Sequence, residues 1–197
     1  MRPMDTLPDG PARYRLRLLR HGATSANTAG LRCGGDLDLP LTDLGRQQAR
    51  DAAARLRRLQ PAPGLIVTSD LQRTRETAAI VAESFPGVRV IVEPAFAERR
   101  LGLWNLQPIA QTQPWLEAGS TPPGGESDAE FVERIARGLL RIREHLPRQP
   151  LLVGSKGVAR ALGVLAGSPR ATALGNGEIA DFELHRDDFL HTAQGTP

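Results

Sequence analysis

Short apolar runs that alternate with amphipathic stretches most constrain what this chain can fold into. Five stretches read as strands: residues 14–22, 65–69, 88–94, 151–155 and 178–185. The helical spacing of apolar residues predicts helices over 42–59, 71–85, 127–146 and 158–166. Near-continuous apolar strands between helices are typical of a mostly parallel sheet that is covered on both faces. The sequence therefore predicts an α/β fold, a three-layer sandwich with a mostly parallel central sheet and helices on both faces.

The ends of the chain lack this pattern. Residues 1–13 are rich in Pro and Gly and show no periodicity, so we expect a flexible leader there. We expect a flexible tail over 191–197 and one folded domain over 14–190, a length that is enough for a substantial core. Residues 95–125 show little periodicity, and no internal repeat or second domain is evident.

The charge and composition narrow the class of partner. The net charge is +3 and the calculated pI about 9.9, but the acids are spread along the chain and aromatics make up only 4%. No basic block is present, so we expect no nucleic-acid partner. No apolar run is long enough to span a bilayer and only one cysteine is present, so we expect no membrane partner and a cytoplasmic location. The Arg, Ala, Leu and Pro usage is typical of a high-GC bacterial protein.

Charged and polar residues stand directly after several predicted strands. Arg20 and His21 follow the first strand, Ser69 to Arg73 the second, Glu98 the third and Lys156 the fourth. Functional groups of parallel α/β sheets gather beyond the carboxyl ends of the strands. Taken alone, Arg20-His21-Gly22 is open to two interpretations, a nucleophilic imidazole beside an anion-binding guanidinium or an exposed loop histidine.

Five motifs together resemble a known family. The stretch LRHGATSAN at 19–27 resembles the Arg-His-Gly-x-Thr-x-x-Asn signature of the histidine phosphatase superfamily, also called the phosphoglycerate mutase-like family. Four further segments resemble later family motifs in the expected order: DLDLPLTDLGRQQA at 36–49, TSDLQRTRETA at 68–78, AERRLGLW at 97–104 and PPGGES at 122–127. The resemblance covers about residues 14–170.

The resemblance implies a metal-independent phosphomonoester hydrolase of the phosphatase branch. His21 would become a phosphohistidine, Arg20 and Arg73 would bind the phosphoryl oxygens, and Glu98 would be the proton donor. Substrate contacts are expected at Gly22, Thr24, Asn27, Cys33 and Gly157. The expected partner is a small phosphorylated metabolite, and no cofactor or metal is implied. A homodimer stays open.

Lys156 departs from the family pattern. The family has Ser-His-Gly-Gly after the corresponding strand, whereas this chain has Ser155, Lys156, Gly157 and Val158. Lys156 is the only lysine in the chain. Its ammonium either replaces the second histidine as a phosphoryl-stabilising cation, or misplaces the charge and leaves a phospholigand-binding protein, or redirects the chemistry to another anionic substrate. The alternative without function is that the Lys156 side chain is merely solvated.

The substrate and the reaction stay open in part. A short connection from Trp104 to Pro122 favours hydrolysis over a mutase-like phosphotransfer, because water would reach the intermediate. Arg99 and Arg100 either bind a second anionic group or are solvated, and we expect solvation. Four apolar side chains either line the leaving-group pocket or pack the loop onto its own domain: Leu103, Leu106, Ile109 and Trp115.

Overall fold

A five-stranded sheet forms the middle of the molecule in the computed structural model, which describes residues 13–168 and 174–193. The strands are β1 Arg13–Arg20, β2 Leu65–Thr68, β3 Arg89–Val92, β4 Leu151–Gly154 and β5 Ile179–His185. Their order across the sheet is β3-β2-β4-β1-β5. β5 pairs antiparallel with β1, and the other three pairings are parallel. The mostly parallel sheet that the sequence predicts is confirmed.

Seven α-helices lie in the described ranges. They are α1 Ser25–Thr28, α2 Asp43–Leu56, α3 Gln72–Ala82, α4 Ile109–Glu117, α5 Asp128–Arg141, α6 Lys156–Leu165 and α7 Arg186–Ala193. Two of the longer helices begin at side-chain caps. The hydroxyl of Thr42 accepts from the N–H of Gly45, and Ser127 forms a capping box with Glu130. None of the described helices has the length and apolar character needed to cross a bilayer.

Two hydrophobic cores lie on opposite faces of the sheet, because successive strand residues point to opposite sides. Leu18 of β1 packs with α5, α6 and α7 on one face, and Leu19 packs with α2 and α3 on the other. All large apolar side chains of the α5 stripe (Phe131, Ile135 and Leu139) are fully buried. This arrangement confirms the three-layer sandwich.

Several predicted boundaries differ from the observed ones. α4 lies in the segment 95–125, for which no periodicity was evident, and it contains Pro114 and buries only Thr112. α5 ends at Arg141 and a 3₁₀ helix continues over Arg143–Arg148, where Pro147 prevents a longer α-helix. α6 begins at Lys156, two residues before the predicted start.

The observed elements also reach into both predicted end segments. β1 begins at Arg13, the last residue of the predicted leader. α7 runs to Ala193, three residues into the predicted tail, because Phe189 and Ala193 contribute to the core. The flexible leader over 1–12 and the remaining tail over 194–197 lie outside the described residues.

Candidate active site

A cavity of about 610 Å³ opens at the edge of the sheet where the parallel strands end. Its lining combines the loop after β1, the loop after β3 and the start of α6, which the sheet order brings together. Seven of the predicted site residues line it: Arg20, His21, Asn27, Cys33, Glu98, Lys156 and Gly157. The cavity therefore lies beyond the carboxyl ends of the parallel strands, where the sequence predicts the functional groups.

His21 is buried at the end of β1 and is held as one tautomer. Its backbone N–H donates to the carbonyl of Gly154 over 2.9 Å. Its Nδ1 lies 2.7 Å from the carbonyl oxygen of Gly22, which can only accept, so Nδ1 carries the proton and Nε2 keeps its lone pair. Burial, assisted by the positive charge of Arg73, lowers the pKa of His21 to about 3. The imidazole is therefore neutral over the physiological pH range.

Arg20 presents a cation beside this imidazole. One terminal nitrogen donates to the carbonyl of Leu174 over 2.6 Å, while the buried Nε has no partner among the described residues. Burial lowers the pKa of Arg20, and Glu98 and Glu178 oppose that shift. A partly buried guanidinium with an unused donor is suited to bind an anion that enters the cavity.

Two asparagines, Asn27 and Asn176, line the same cavity as His21. The Oδ1 of Asn27 accepts from the N–H and the hydroxyl of Thr24, each over 3.1 Å. Asn176 donates to the carbonyl of His21 over 3.0 Å and to Oδ1 of Asn27 over 3.3 Å. Because Oδ1 of Asn27 accepts the bonds from Thr24 and one bond from Asn176, its Nδ2 is left as a donor that has no partner among the described residues.

The carboxylate of Glu98 joins two elements of the site. Oε1 accepts from the N–H of Arg99 over 2.7 Å, and Oε2 accepts from the N–H of Gly157 over 2.9 Å. The first donor belongs to the loop after β3 and the second to the first turn of α6. Glu98 is therefore fixed in the cavity wall by the backbone itself.

Lys156 is the first residue of α6 and lines the cavity with an exposed side chain. Its side chain makes no hydrogen bond or ion pair with another residue in the described ranges. The preceding Ser155 is buried, and its hydroxyl has no partner there either. Lys156 is thus free to turn toward a bound anion.

Three predicted site residues do not line the cavity. Gly22 packs against α2, where a Cβ would lie 2.1 Å from the carbonyl oxygen of Gly45. Thr24 is the N-cap of α1. Arg73 is fully buried, and its guanidinium donates to the carbonyls of Gly34 and Leu37 over 3.0 and 2.8 Å. In this structure Arg73 supports the loop around Cys33 and acts on His21 through its charge.

The expectation that Arg99 is solvated is wrong. Its side chain is buried, and it donates to the carbonyl of Glu126 over 2.7 Å and to a carboxylate oxygen of Asp128 over 2.5 Å. The side chain of Arg100 is 60% exposed, as expected. Asp128 lies 29 residues after Arg99, so the local sequence contained no sign of this pairing.

Sequence reasoning missed four polar residues of the lining, namely Arg32, Gln113, Arg160 and Asn176. Arg32 adjoins Cys33, and Arg160 stands four residues after Lys156, which is the spacing of neighbours on one helix face. Those two signals were available in the sequence. Asn176 had no signal, because only the β1–β5 pairing brings it to His21.

The apolar part of the lining differs from the predicted set. Of the four side chains considered for a leaving-group pocket, only Ile109 lines the cavity. Leu103 is 73% exposed, and Trp115 packs against Trp104 with ring centroids 5.5 Å apart. The remaining apolar lining comes from Leu31, Leu101 and Leu116. In the described part of the chain, no group of three His, Cys, Asp or Glu residues is placed to hold a metal ion.

Comparison with known proteins assigns this geometry to a family. The family model described as "Histidine phosphatase superfamily (branch 1)" matches residues 16–191. A protein from Photorhabdus laumondii named "Probable phosphoglycerate mutase GpmB" is 34% identical over 189 residues, which cover 89% of this chain and 85% of that protein. A glucosyl-3-phosphoglycerate phosphatase from Mycolicibacterium vanbaalenii is 39% identical over 129 residues, 61% of this chain and 56% of that protein. The solved structure of a mycobacterial glucosyl-3-phosphoglycerate phosphatase in complex with VO3 has a TM-score of 0.73 at 33% identity and covers 89% of this chain and 94% of that one.

Proposed function

The chain belongs to the histidine phosphatase superfamily, branch 1, and we propose that it is a metal-independent phosphomonoester hydrolase that acts through a phosphohistidine on His21. One observation carries the proposal. His21 is buried, neutral and fixed as the tautomer whose Nε2 lone pair is free, and the same cavity is lined by Arg20, a partly buried arginine whose Nε has no partner among the described residues. This is the arrangement that an attacking imidazole needs next to a dianionic phosphoryl group.

The first step transfers the phosphoryl group to the enzyme. Arg20 and the Nδ2 of Asn27 bind the phosphoryl oxygens, and the charge of Arg73 adds to the field from behind the loop. Nε2 of His21 forms a bond to phosphorus, and the bond from phosphorus to the leaving oxygen breaks. The electron pair stays on that oxygen, which receives a proton from Glu98.

The second step releases phosphate. The carboxylate of Glu98 takes a proton from a water molecule, whose oxygen attacks phosphorus. The bond between nitrogen and phosphorus breaks, its electron pair returns to Nε2 of His21, and inorganic phosphate leaves. Glu98 is protonated again and His21 is neutral, so both groups are ready for the next cycle.

Lys156 supplies the cation opposite the nucleophile in this proposal. It stands in the first turn of α6, where its flexible stem reaches into the cavity and where the helix N-terminus also favours negative charge. The alternative is a phospholigand-binding protein whose turnover is lost at this position. The backbone bonds that hold Glu98 in place favour the enzyme, because a protein that only binds has no use for an oriented proton donor.

A mutase-like phosphotransferase is a second candidate, since relatives of this chain carry that name. A mutase has to keep its phosphoenzyme away from water long enough to return the group to the substrate. The segment between Trp104 and Pro122 contains one nine-residue helix, α4, and leaves the cavity open. Hydrolysis is therefore favoured, and release of free phosphate rather than an isomer distinguishes the two reactions.

The test is hydrolysis of an aryl phosphate in excess EDTA by the wild type, His21→Ala and the control His191→Ala, an exposed histidine. We expect turnover in the wild type and in the control, and none in His21→Ala. Rapid alkaline quench of the wild type, followed by mass spectrometry, should find the phosphoryl group on His21, since phosphohistidine survives alkali. Wild-type turnover that stops in EDTA, or that persists in His21→Ala, would refute the proposal.

A further inference from the structure

The cavity carries more positive charge than one phosphoryl group offsets. Among the described residues that line it, five are cationic and one, Glu98, is acidic. The cations are Arg20, Arg32, Arg99, Lys156 and Arg160. Arg99 and Arg160 share the carboxylate of Asp128, which offsets one further charge. A phosphomonoester dianion bound at Arg20 and Lys156 therefore leaves positive charge in the cavity that neither Glu98 nor Asp128 offsets.

Arg32 makes no ion pair with a described residue, and unlike Arg20 and Lys156 it has no role at the phosphoryl group in the proposed reaction. Its Nε donates to the hydroxyl of Thr112 over 2.8 Å, and one terminal nitrogen donates to Oε1 of Gln113 over 2.7 Å. Both partners are neutral residues of α4, and the other terminal nitrogen has no partner among the described residues. Burial lowers the pKa of Arg32, while the negative charge of Glu98 opposes this shift and the positive charge of Arg160 adds to it.

The neighbouring contacts hold Arg32 in one place. Its N–H donates to the carbonyl of Gln107 over 3.0 Å, and its own carbonyl accepts from the N–H of Leu106 over 3.0 Å. Thr112 is fully buried and gives Nε of Arg32 a fixed acceptor. The guanidinium is thus oriented before any ligand binds, which lowers the entropic cost of binding.

Resting on the proposed phosphatase function, we propose that the substrate carries a second anionic group, a carboxylate or a second phosphate, and that Arg32 binds it with help from Arg160. Arg32 is the specificity-determining residue, because Arg160 is already paired with Asp128. The apolar side chains of Leu31, Ile109 and Leu116 line the same cavity and suit the carbon skeleton of a small metabolite.

Three substrates with one carbon skeleton test the proposal. Glycerol 3-phosphate, 3-phosphoglycerate and glycerol 1,3-bisphosphate differ in whether the far carbon bears a hydroxyl, a carboxylate or a phosphate. For the wild type we expect kcat/KM on 3-phosphoglycerate or on glycerol 1,3-bisphosphate to exceed kcat/KM on glycerol 3-phosphate by about 10- to 100-fold. This is the range for a hydrogen bond to a charged group. Which of the two is preferred identifies the second anion.

Variants assign this preference to Arg32. Arg32→Gln should reduce the ratio of kcat/KM on the preferred compound to kcat/KM on glycerol 3-phosphate by about 10- to 100-fold. Arg32→Lys, which keeps the charge but loses the paired donors of the guanidinium, should reduce this ratio less. Arg50→Gln is the matched control, because Arg50 is exposed on α2 and does not line the cavity. It should leave the preference unchanged. Equal kcat/KM on all three substrates in the wild type, or an unchanged preference in a folded Arg32→Gln protein, would overturn the inference.

Calorimetric titration of the same three compounds into His21→Ala separates this inference from the proposed function. Tighter binding of a compound with a second anionic group than of glycerol 3-phosphate, lost on adding Arg32→Gln, supports the second anion site even if the wild type hydrolyses nothing. Equal dissociation constants for all three compounds would reject the site even if the wild type is an active phosphatase.

Discussion

The backbone N–H of Gly157 donates to Oε2 of Glu98 over 2.9 Å, and this contact depends on the missing side chain of the glycine. A Cβ at position 157 would lie 1.9 Å from Oε1 of Glu98, far inside van der Waals contact. The proposed proton donor and the residue after Lys156 therefore fit together only with glycine at this position. The geometry of the site depends on the junction between β4 and α6 as much as on the acidic residue.

Gly157→Ala should consequently lower kcat by about 10²- to 10⁴-fold, the loss that follows when a general acid is misplaced. The carboxylate has to rotate away from the cavity to accept the methyl group, so KM should change less than kcat. Steady-state kinetics on an aryl phosphate measure both constants.

Gly64→Ala is the matched control, since nothing lies within 4 Å of a Cβ built at position 64. Its kcat should equal that of the wild type. A Gly157→Ala protein that melts like the wild type and keeps its kcat would show that the position of Glu98 is not needed for turnover.

A second prediction concerns pH and stability. Burial, with the charge of Arg73 nearby, lowers the pKa of His21 from 6.5 to about 3. Between these values the unfolded chain binds a proton that the folded chain excludes. The stabilising contribution is therefore complete above pH 6.5 and is lost as the pH falls toward 3, by up to about 1.4 kcal/mol per pH unit.

Urea unfolding at pH 7.5, 6.5, 5.5 and 4.5 measures this effect. The free energy of unfolding of the wild type should fall more steeply below pH 6.5 than that of His21→Asn, which has no group to titrate there. His191→Asn, changed at an exposed histidine, should keep the steep wild-type slope. Parallel curves for the wild type and His21→Asn would contradict a buried neutral imidazole.

The sequence predicted the layers of the fold because the apolar runs alternate with helical patterns, and that alternation is a local property. It located His21 and Glu98 because each follows a strand and carries a motif. It did not predict α4, whose interior Pro114 and single buried residue leave no helical stripe to detect.

Contacts between distant segments explain what else the sequence missed. Asn176 reaches the carbonyl of His21 across 155 positions, and this approach exists only after β5 has paired with β1. The burial of Arg99 likewise depends on Asp128 at the start of α5. Charged side chains are usually exposed, so the sequence alone favours solvation of Arg99.

A third prediction concerns Arg73, which does not line the cavity but is bonded to the loop that contains Cys33. Its guanidinium is buried and donates to the carbonyls of Gly34 and Leu37, which precede and follow the turn beside Cys33. Arg73→Met would remove both charged donors and leave Gly34 O only the N–H of Leu37 and Leu37 O only the thiol of Cys33, at a cost of about 1.5–3 kcal/mol for each lost hydrogen bond to a charged group. We expect a lower free energy of unfolding and a loss of turnover together.

Arg75→Met provides the comparison, since Arg75 is exposed on the same helix. Its free energy of unfolding should stay within about 0.5 kcal/mol of the wild-type value. Urea unfolding and aryl phosphate kinetics measure the two effects. If Arg73→Met were no less stable than Arg75→Met, the support of the loop by Arg73 would be refuted.

Lys156 gives the last prediction, and it separates the roles that the sequence left open. Because its side chain is exposed and makes no bond to a described residue, Lys156→Ala should change the free energy of unfolding by less than about 0.5 kcal/mol. If the ammonium stabilises the phosphoryl group, the same change should lower kcat by about 10- to 10³-fold, as the loss of one electrostatic stabiliser does. Lys156→Arg should keep part of the rate because it keeps the charge. Aryl phosphate kinetics of these variants and of Lys156→His measure the effect.

A wild type whose kcat is lower than that of Lys156→His would instead show that the lysine weakens or redirects the chemistry. An unchanged kcat in Lys156→Ala would show that the lysine side chain is merely solvated.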